Sequence, residues 1–439
     1  MAFHHATVDD TAHVSVSVPR TFAWVVFALT FGLLISDYMS RQVLNAVFPL
    51  LKSEWALSDA QLGMLSSIVS VMVGLLTIPL SLLADRWGRV KSLVLMAVFW
   101  SLATLGCAVA ESFNQMFIAR FLVGVGEAAY GSVGIAVVLS VFPKNMRASL
   151  SGAFMAGTMF GSVLGMALGG IIAAHMGWRI AFASMALFGL VLAGLYLIIV
   201  RERRIAAPRR CSTLANATTG QTKRPLFTLF ASRSVISAYV GNGLQAFVVG
   251  SVLAWFPSYL NRYYHMNTDK AGMLSALIVL IGGGGMIICG MLGDRMCRTR
   301  ADRKIVLAIS FCLISCFMLT TAFYLQPGLL QLSLIGMGML VASGTCGPAG
   351  AMVANLTHPA VHATAFAVLV LANNILGLAP GPLFTGMLAD KLGLDHAFQF
   401  VPLMGIAAAL VFGYGKRHYH RDLEKLDLSA SAPAVGPLT

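Results

Sequence analysis

The sequence predicts an all-α polytopic membrane protein with twelve transmembrane helices in two six-helix bundles. Three observations carry that expectation. The 439 residues are 58% hydrophobic and only 11% charged, with a mean hydropathy of +0.80, whereas a soluble chain carries roughly 25% charged residues. Apolar runs of ~20 residues, the length a helix needs to cross ~30 Å of hydrocarbon, recur along the chain. A short charged loop, SLLADRWGRVK at 81–91, recurs 209 residues later as Gly290, Leu292, Gly293, Asp294, Arg295 and Arg298. Both copies read small-x-Leu-small-Asp-Arg, and each joins the second and third apolar runs of its half, so the chain reads as two related halves.

Taken in order, residues 1–21 form a mixed polar segment with His4, His5, Asp9, Asp10 and Arg20, and no signal-peptide pattern is expected there. Six spans follow at 22–48, 60–84, 92–110, 114–142, 149–174 and 178–200, making an N-terminal bundle over 22–200. Residues 201–232 are the one long hydrophilic connection. Six more spans at 233–260, 271–293, 304–325, 328–354, 360–389 and 396–415 make a C-terminal bundle over 233–415. The tail 416–439 is polar and ends in SASAPAVGPLT, which predicts disorder.

Orientation follows from lysine and arginine. With the N-terminus inside, the inner segments carry 23 Lys/Arg and the outer segments five: Lys52, Arg179, Arg262, Lys270 and Lys391. The positive-inside rule then places both termini in the cytoplasm. The same bias accounts for the net charge of +13, so no nucleic-acid partner is implied. Anionic lipid heads could meet the central basic loop. The seven cysteines are scattered, mostly in apolar runs, and have no metal-ligand spacing. No metal, cofactor or disulfide is expected.

Several spans carry glycine at helical spacing. Span 5 has Gly157, Gly161, Gly165 and Gly169 four residues apart, followed by Gly170. This face admits another helix closely, either as static packing or as a contact along which bundles rock. Span 8 has Gly282–Gly285, and span 11 has Gly377, Pro380, Gly381, Pro382 and Gly386, which predicts a bend.

Twelve spans, a central loop and two small-x-Leu-Ala/Gly-Asp-Arg loops resemble the major facilitator superfamily over essentially the whole chain. Within it, ARFLVGVGEAAYGS (119–132), WFPSYLNRYY (255–264) and HATAFAVLVLANNILGLAPGPLFTGMLAD (362–390) are similar to bacterial Spinster-like members, a group that includes lysophospholipid and sphingosine-phosphate transporters. The Arg-to-Glu-Ala element is shared with the anion:cation symporter group. The resemblance implies two bundles with inverted repeats inside them, alternating access, and a monomer in the bacterial inner membrane. The chain departs from the group's pattern at Ser81, where glycine is usual, and at Met166, where the antiporter-type signature has proline. It departs again at His362, where arginine is usual, and at Ser40, where span 1 usually holds aspartate; here the acid is Asp37.

Only Asp37, Arg41, Arg120 and Glu127 are charged residues lying well within spans. At the centre of a lone inserted helix each costs about 2.5–3.5 kcal/mol, so lipid-facing placement of all four is excluded. Asp37 and Arg41 share one helix face, and Arg120 and Glu127 share another. Counting ~1.5 Å per residue puts the two arginines in one layer and the two acids in a deeper one. In the resembled fold, helices 1 and 4 line the central cavity. The four charges either lock the N-terminal bundle as ion pairs or form an anion-binding arginine layer above proton-carrying acids.

Glu127 ranks ahead of Asp37 as proton carrier, because Asp37 has a guanidinium one turn away while Val125, Ala128 and Ala129 beside Glu127 are apolar. The second half offers Asn242, Gln245, Ser251, Asn373 and Asn374 for hydrogen bonds to substrate. Trp255, Phe256 and Tyr259 could pack the apolar part of a substrate, but near a span end they read more readily as an interfacial aromatic belt. Asp85, Arg86, Arg89, Asp294 and Arg295 are the expected conformational gate.

The function expected is proton-coupled secondary transport, not an enzyme reaction, of an organic anion such as a lysolipid-type amphiphile. A symporter of small sugar or aromatic acids, an uncoupled facilitator and a drug/proton antiporter are the alternatives. A channel would need a continuous polar stripe, and an enzyme a nucleophile–base pair or metal set; the sequence displays neither.

Overall fold

The computed structural model describes residues 19–143, 146–200, 232–296, 303–357 and 361–431. Arg298, the side chain of Asp294 and all of the central loop except Ser232 lie outside the described residues. Among the described residues, twelve helices are long and apolar enough to cross a membrane. Spans 1–6 are Arg20–Trp55, Asp59–Trp87, Arg89–Ala108, Phe113–Val141, Ser149–Met176 and Trp178–Ile199. Spans 7–12 are Arg233–Tyr263, Thr268–Gly293, Arg303–Tyr324, Leu329–Leu356, Thr364–Leu392 and Leu394–Glu424.

The outermost spans run further than hydropathy suggests. Span 1 continues to Trp55 because its last turn has partners: Glu54 accepts from Trp178 Nε1 at 2.6 Å and from Arg179 at 2.8 Å. The last helix runs on to Ser431, where a disordered tail was expected. Its extension is held where Tyr419 is buried and Asp422 accepts from Ser232, the N-cap residue of span 7, and from Ser234. A polar helix with such anchors needs no lipid to persist.

Two spans at corresponding places in the two halves are interrupted. Span 4 stops at Glu127 and restarts at Tyr130; span 10 stops at Ser343 and restarts at Cys346. Local hydroxyls satisfy the carbonyls this exposes. Thr77 donates to Ala128 O at 2.7 Å, Ser132 to Ala129 O at 2.9 Å, and Thr345 to Ala342 O at 3.1 Å. Span 11 is bent as expected, through a π-helical turn at Asn373–Leu378 that runs directly into Pro380.

Four of the span 5 glycines seat span 1 inside the same bundle. Gly157 faces Phe31 and Leu34, Gly161 faces Ile35 and Tyr38, Gly165 faces Met39 and Gly169 faces Val43. The next residue, Gly170, instead meets Gly272 of span 8 across the bundle boundary. One helix therefore serves both uses of a small-residue face. Further cross-bundle approaches are Gly63 on Pro382, Gly74 on Asn374 and Ile375, and Met159 on Gly283. They run from the end bearing Asp59 to about mid-helix. Toward the end bearing Asp85, a Cβ at Gly131, Gly152, Gly284 or Gly290 would meet no atom within 4 Å. The bundles are joined at the Asp59 face and spaced at the Asp85 face.

This packing makes a direct prediction. A Cβ at Gly161 would lie 2.6 Å from Ile35 O and 2.7 Å from Tyr38 Cβ. Gly161→Leu should lower the detergent-extracted protein's melting temperature, since overpacking costs about 1–3 kcal/mol. Gly152→Ala, in open space, should leave it unchanged or slightly raised. Thermal unfolding followed by size-exclusion elution checks both.

Candidate functional site

The site is built from the turn of span 1 that the span 5 glycines hold in place. That turn presents Asp37, Tyr38 and Arg41. The interruption in span 4 brings Glu127, the last residue before the break, to meet it. Arg41 Nε donates to Glu127 Oε2 at 2.6 Å and lies 3.7 Å from Asp37 Oδ1. Asp37 and Glu127 thus flank the same guanidinium. Both acids are buried, at 3% and 2% exposure, while the Arg41 side chain keeps 16%. Tyr38 supports the guanidinium, with Arg41 Cζ 5.3 Å from its ring centroid.

The terminal nitrogens of Arg41 have no hydrogen-bond partner among the described residues, because only Nε is engaged. Asp37 Oδ1 and Glu127 Oε1 likewise have no hydrogen-bond donor there. One guanidinium thus faces two acids and still has its two-pronged end free. That end has the geometry to hold a carboxylate or phosphate with parallel bonds.

Arg120 is elsewhere. The two arginine side chains do not form one layer above the acids: Arg41 reaches the acids, and Arg120 is enclosed at 1% exposure. Its Nη1 donates to Ser40 O at 3.0 Å and its Nε to Leu65 O at 3.4 Å. It ties spans 1, 2 and 4 together through backbone carbonyls and forms no ion pair among the described residues.

On the other bundle, Asn242 Nδ2 donates to Asn373 Oδ1 at 2.8 Å, joining span 7 to the π-helical turn of span 11. Asn374 Nδ2 donates to Val370 O at 3.0 Å, and Gly74 of span 2 packs against its Cβ. Gln245 points into the bundle interior, where it donates to Ser315 at 3.0 Å. Ser251 is buried against Gly381. Asn374 is therefore at the bundle boundary, the Asn242–Asn373 pair joins spans 7 and 11 beside it, and Gln245 faces Ser315 within the bundle.

The aromatic residues of span 7 are not an interfacial belt. Trp255, Phe256 and Tyr259 are buried at 0%, 1% and 3%. Trp255 Nε1 donates to Pro382 O at 2.9 Å, and its ring lies 5.1 Å from that of Phe48 in the opposite bundle. Their position near a span end suggested lipid headgroups; the contact between bundles covers Trp255 instead, and Tyr259 packs against Phe323 and Phe398 inside its own bundle.

At the Asp85 face, the one ion pair of Asp85 among the described residues is with Arg89 of its own segment, at 2.9 Å, with side-chain exposures of 58% and 49%. Arg86 and Arg295 are exposed as well. Among the described residues, Asp85, Arg86, Arg89 and Arg295, the expected gate residues whose side chains are described, make no ion pair across the bundle boundary. Among the described residues, no group of three or more His, Cys, Asp or Glu side chains is placed to hold a metal.

Sequence reasoning missed the break that aims Glu127 at Arg41. Its only trace is the run Gly124-x-Gly126 with Gly131, which flanks it. Gly124 lies against span 2 at Val69 and Met72, and Gly126 against span 3 at Trp100.

With this geometry in hand, the comparisons are consistent. The Major Facilitator Superfamily model matches residues 30–382. A hexuronate transporter of Bacillus subtilis is 22% identical over 86% of this chain and 90% of its own. A sphingosine-1-phosphate transporter of Danio rerio is 24% identical over 91% and 83%. Among solved structures, a bacterial homologue of the human lysosomal transporter Spinster, inward-facing and unoccupied, superimposes with a TM-score of 0.80 at 19% identity. The match covers 92% of this chain and 98% of that one. A D-xylose–proton symporter gives 0.70 at 20% identity over 89% and 97%. A multi-pass, twelve-span chain matched over most of its length in this way belongs to the Major Facilitator Superfamily of secondary transporters and is not an enzyme.

Proposed function

We propose that this chain is a proton-coupled transporter of an organic anion, working by alternating access, with Arg41 holding the anion and Glu127 and Asp37 holding the proton. The observation that carries this is the convergence of two acids on one guanidinium whose terminal nitrogens are free. With both acids ionised the trio is net negative and repels an anion. One added proton brings it to neutrality and releases Arg41 from part of its internal pairing. Proton and anion therefore favour each other's binding, which is the linkage a symporter needs.

The names of the relatives support an anionic group in the substrate: hexuronate and galactonate are carboxylates, and sphingosine-1-phosphate carries a phosphate. The asparagine pair Asn242–Asn373 and Asn374 stands across the bundle boundary as the hydrogen-bonding wall. Arg120 and Gln245 brace the two walls from behind. A lysolipid-type amphiphile and a small sugar acid both fit this chemistry. The lysine and arginine bias supports the bacterial inner membrane with both termini cytoplasmic. The Asp59 face is then the outer one, and the arrangement seen is open to the inside. In the outward-open state, Asp85 would leave Arg89 for a partner on the opposite bundle.

Binding of labelled hexuronate and of sphingosine-1-phosphate to purified protein tests the anion site. Arg41→Lys keeps the charge but loses the fork and should weaken binding about ten-fold, the value of one charge-assisted hydrogen bond. Arg41→Ala should weaken it further. Unchanged affinity in Arg41→Ala would remove the proposal.

Proteoliposomes test the coupling. Glu127→Gln should retain counterflow of labelled substrate yet lose accumulation driven by a pH gradient. Asp37→Asn would show that pattern if Asp37 were the carrier. Full gradient-driven accumulation in both variants would leave uncoupled diffusion as the better reading.

A further inference from the structure

We infer that Asp59, Arg262 and Asp390 form a releasable lock between the bundles at the Asp59 face, with Lys52 as the resident counter-ion that lets it open. The inference rests on the alternating-access reading above. Asp59 is the first residue of span 2, and its side chain is only 3% exposed. Arg262 of span 7 grips it with two parallel bonds, Nη1 to Oδ2 at 2.8 Å and Nη2 to Oδ1 at 2.6 Å. A second link runs the opposite way. Asp390 of span 11 accepts from the backbone N–H groups of Asp59, at 2.7 Å, and Ala60, at 2.9 Å. The next free donor of that helix, Gln61 N, goes to Ser58 of its own bundle. The first turn of span 2 is thus capped partly by its own bundle and partly by the other. A carboxylate there also meets the positive end of the helix dipole.

The backbones come together at this point because glycines permit it. Gly63 lies against Pro382 O, and Gly386, one turn before Asp390, lies against the carbonyl of Asp59. Arg262 is further placed by Trp255, whose ring centroid is 5.9 Å from its Cζ.

Lys52 has a different role. It also reaches Asp59, at 2.5 Å, but it sits on span 1 in the same bundle. When the bundles part, Asp59 loses Arg262 and keeps Lys52. Taking Arg262 from Asp59 before water has replaced it costs free energy; a partner that travels with the carboxylate lowers that cost. Two cations on one acid thus act with opposite sign: Arg262 holds the face closed, and Lys52 makes it releasable.

Spin-label distances in a cysteine-free full-length chain test this. One label pair at Ser53 and Lys391 reports the Asp59 face, and another at Lys91 and Lys416 reports the Asp85 face. Arg262→Met should lengthen the first distance and shorten the second relative to the parent. Asp390→Asn should shift both the same way. Lys52→Met should do the reverse, narrowing the first distribution to its closed value. Shifts of equal sign in Arg262→Met and Lys52→Met, or none in Arg262→Met while the parent samples both states, would overturn the lock. A parent fixed in one state under every condition of pH and added anion would instead count against alternating access itself.

Discussion

The arrangement depends on how charge is kept inside an apolar bundle. Arg41 reaches Glu127 from a neighbouring helix at 2.6 Å, with Asp37 one turn away on its own helix. Breaking a buried pair by removing one partner typically costs about 3–5 kcal/mol, so the bundle must fix these groups closely. It does so with glycine. The span 5 face that admits span 1 within backbone contact sets the height of the Asp37–Arg41 turn. The break in span 4 then turns Glu127 to meet it. Arg120 adds a brace across spans 1, 2 and 4 without spending its charge on either acid. With both acids ionised the trio would carry one net negative charge, which under the proposal above a proton neutralises so that an anion can bind.

The two ends of the molecule use charge differently. At the Asp59 face, the enclosed Asp59 and the exposed Asp390 are both paired across the bundle boundary. At the Asp85 face, the first Asp-Arg loop is exposed, and Asp85 pairs among the described residues with Arg89 of the same loop. The glycine-mediated contacts between spans 5 and 8 and between spans 2 and 11 run from the Asp59 end to about mid-helix. Glycine sets the minimum separation there, and its counterparts in the other half have open space. A pair of bundles that can rock needs this asymmetry, because each face must present a surface that closes well but not permanently.

Much of the fold was legible in the sequence. Hydropathy delivered the twelve spans, because they are a property of local composition, and it singled out the four in-span charges on which the proposed site is built. The bend in span 11 was legible from Pro380, Gly381 and Pro382. What was not legible depends on contacts between distant segments. The depth count separated Arg41 from the acids because it follows Cα height, whereas a long guanidinium side chain spans the difference. Trp255 and Tyr259 read as belt residues because proximity to a span end looks the same whether lipid or another helix covers them. Asp59 and Asp390 drew no notice, since charges at span ends are ordinary until their partners are seen. The helical extension past Lys416 was hidden because its support comes from Ser232 and Ser234, far away in sequence.

The central claim is that anion and proton share one site around Arg41. Its most direct test is the proton balance of binding. Saturating anion is added to purified protein in a weakly buffered solution containing a pH indicator, near neutral pH. The account predicts net proton uptake approaching about one per anion bound, with anion affinity falling as pH rises, as reciprocal linkage requires. Anion binding with no proton uptake and a pH-independent affinity would contradict it.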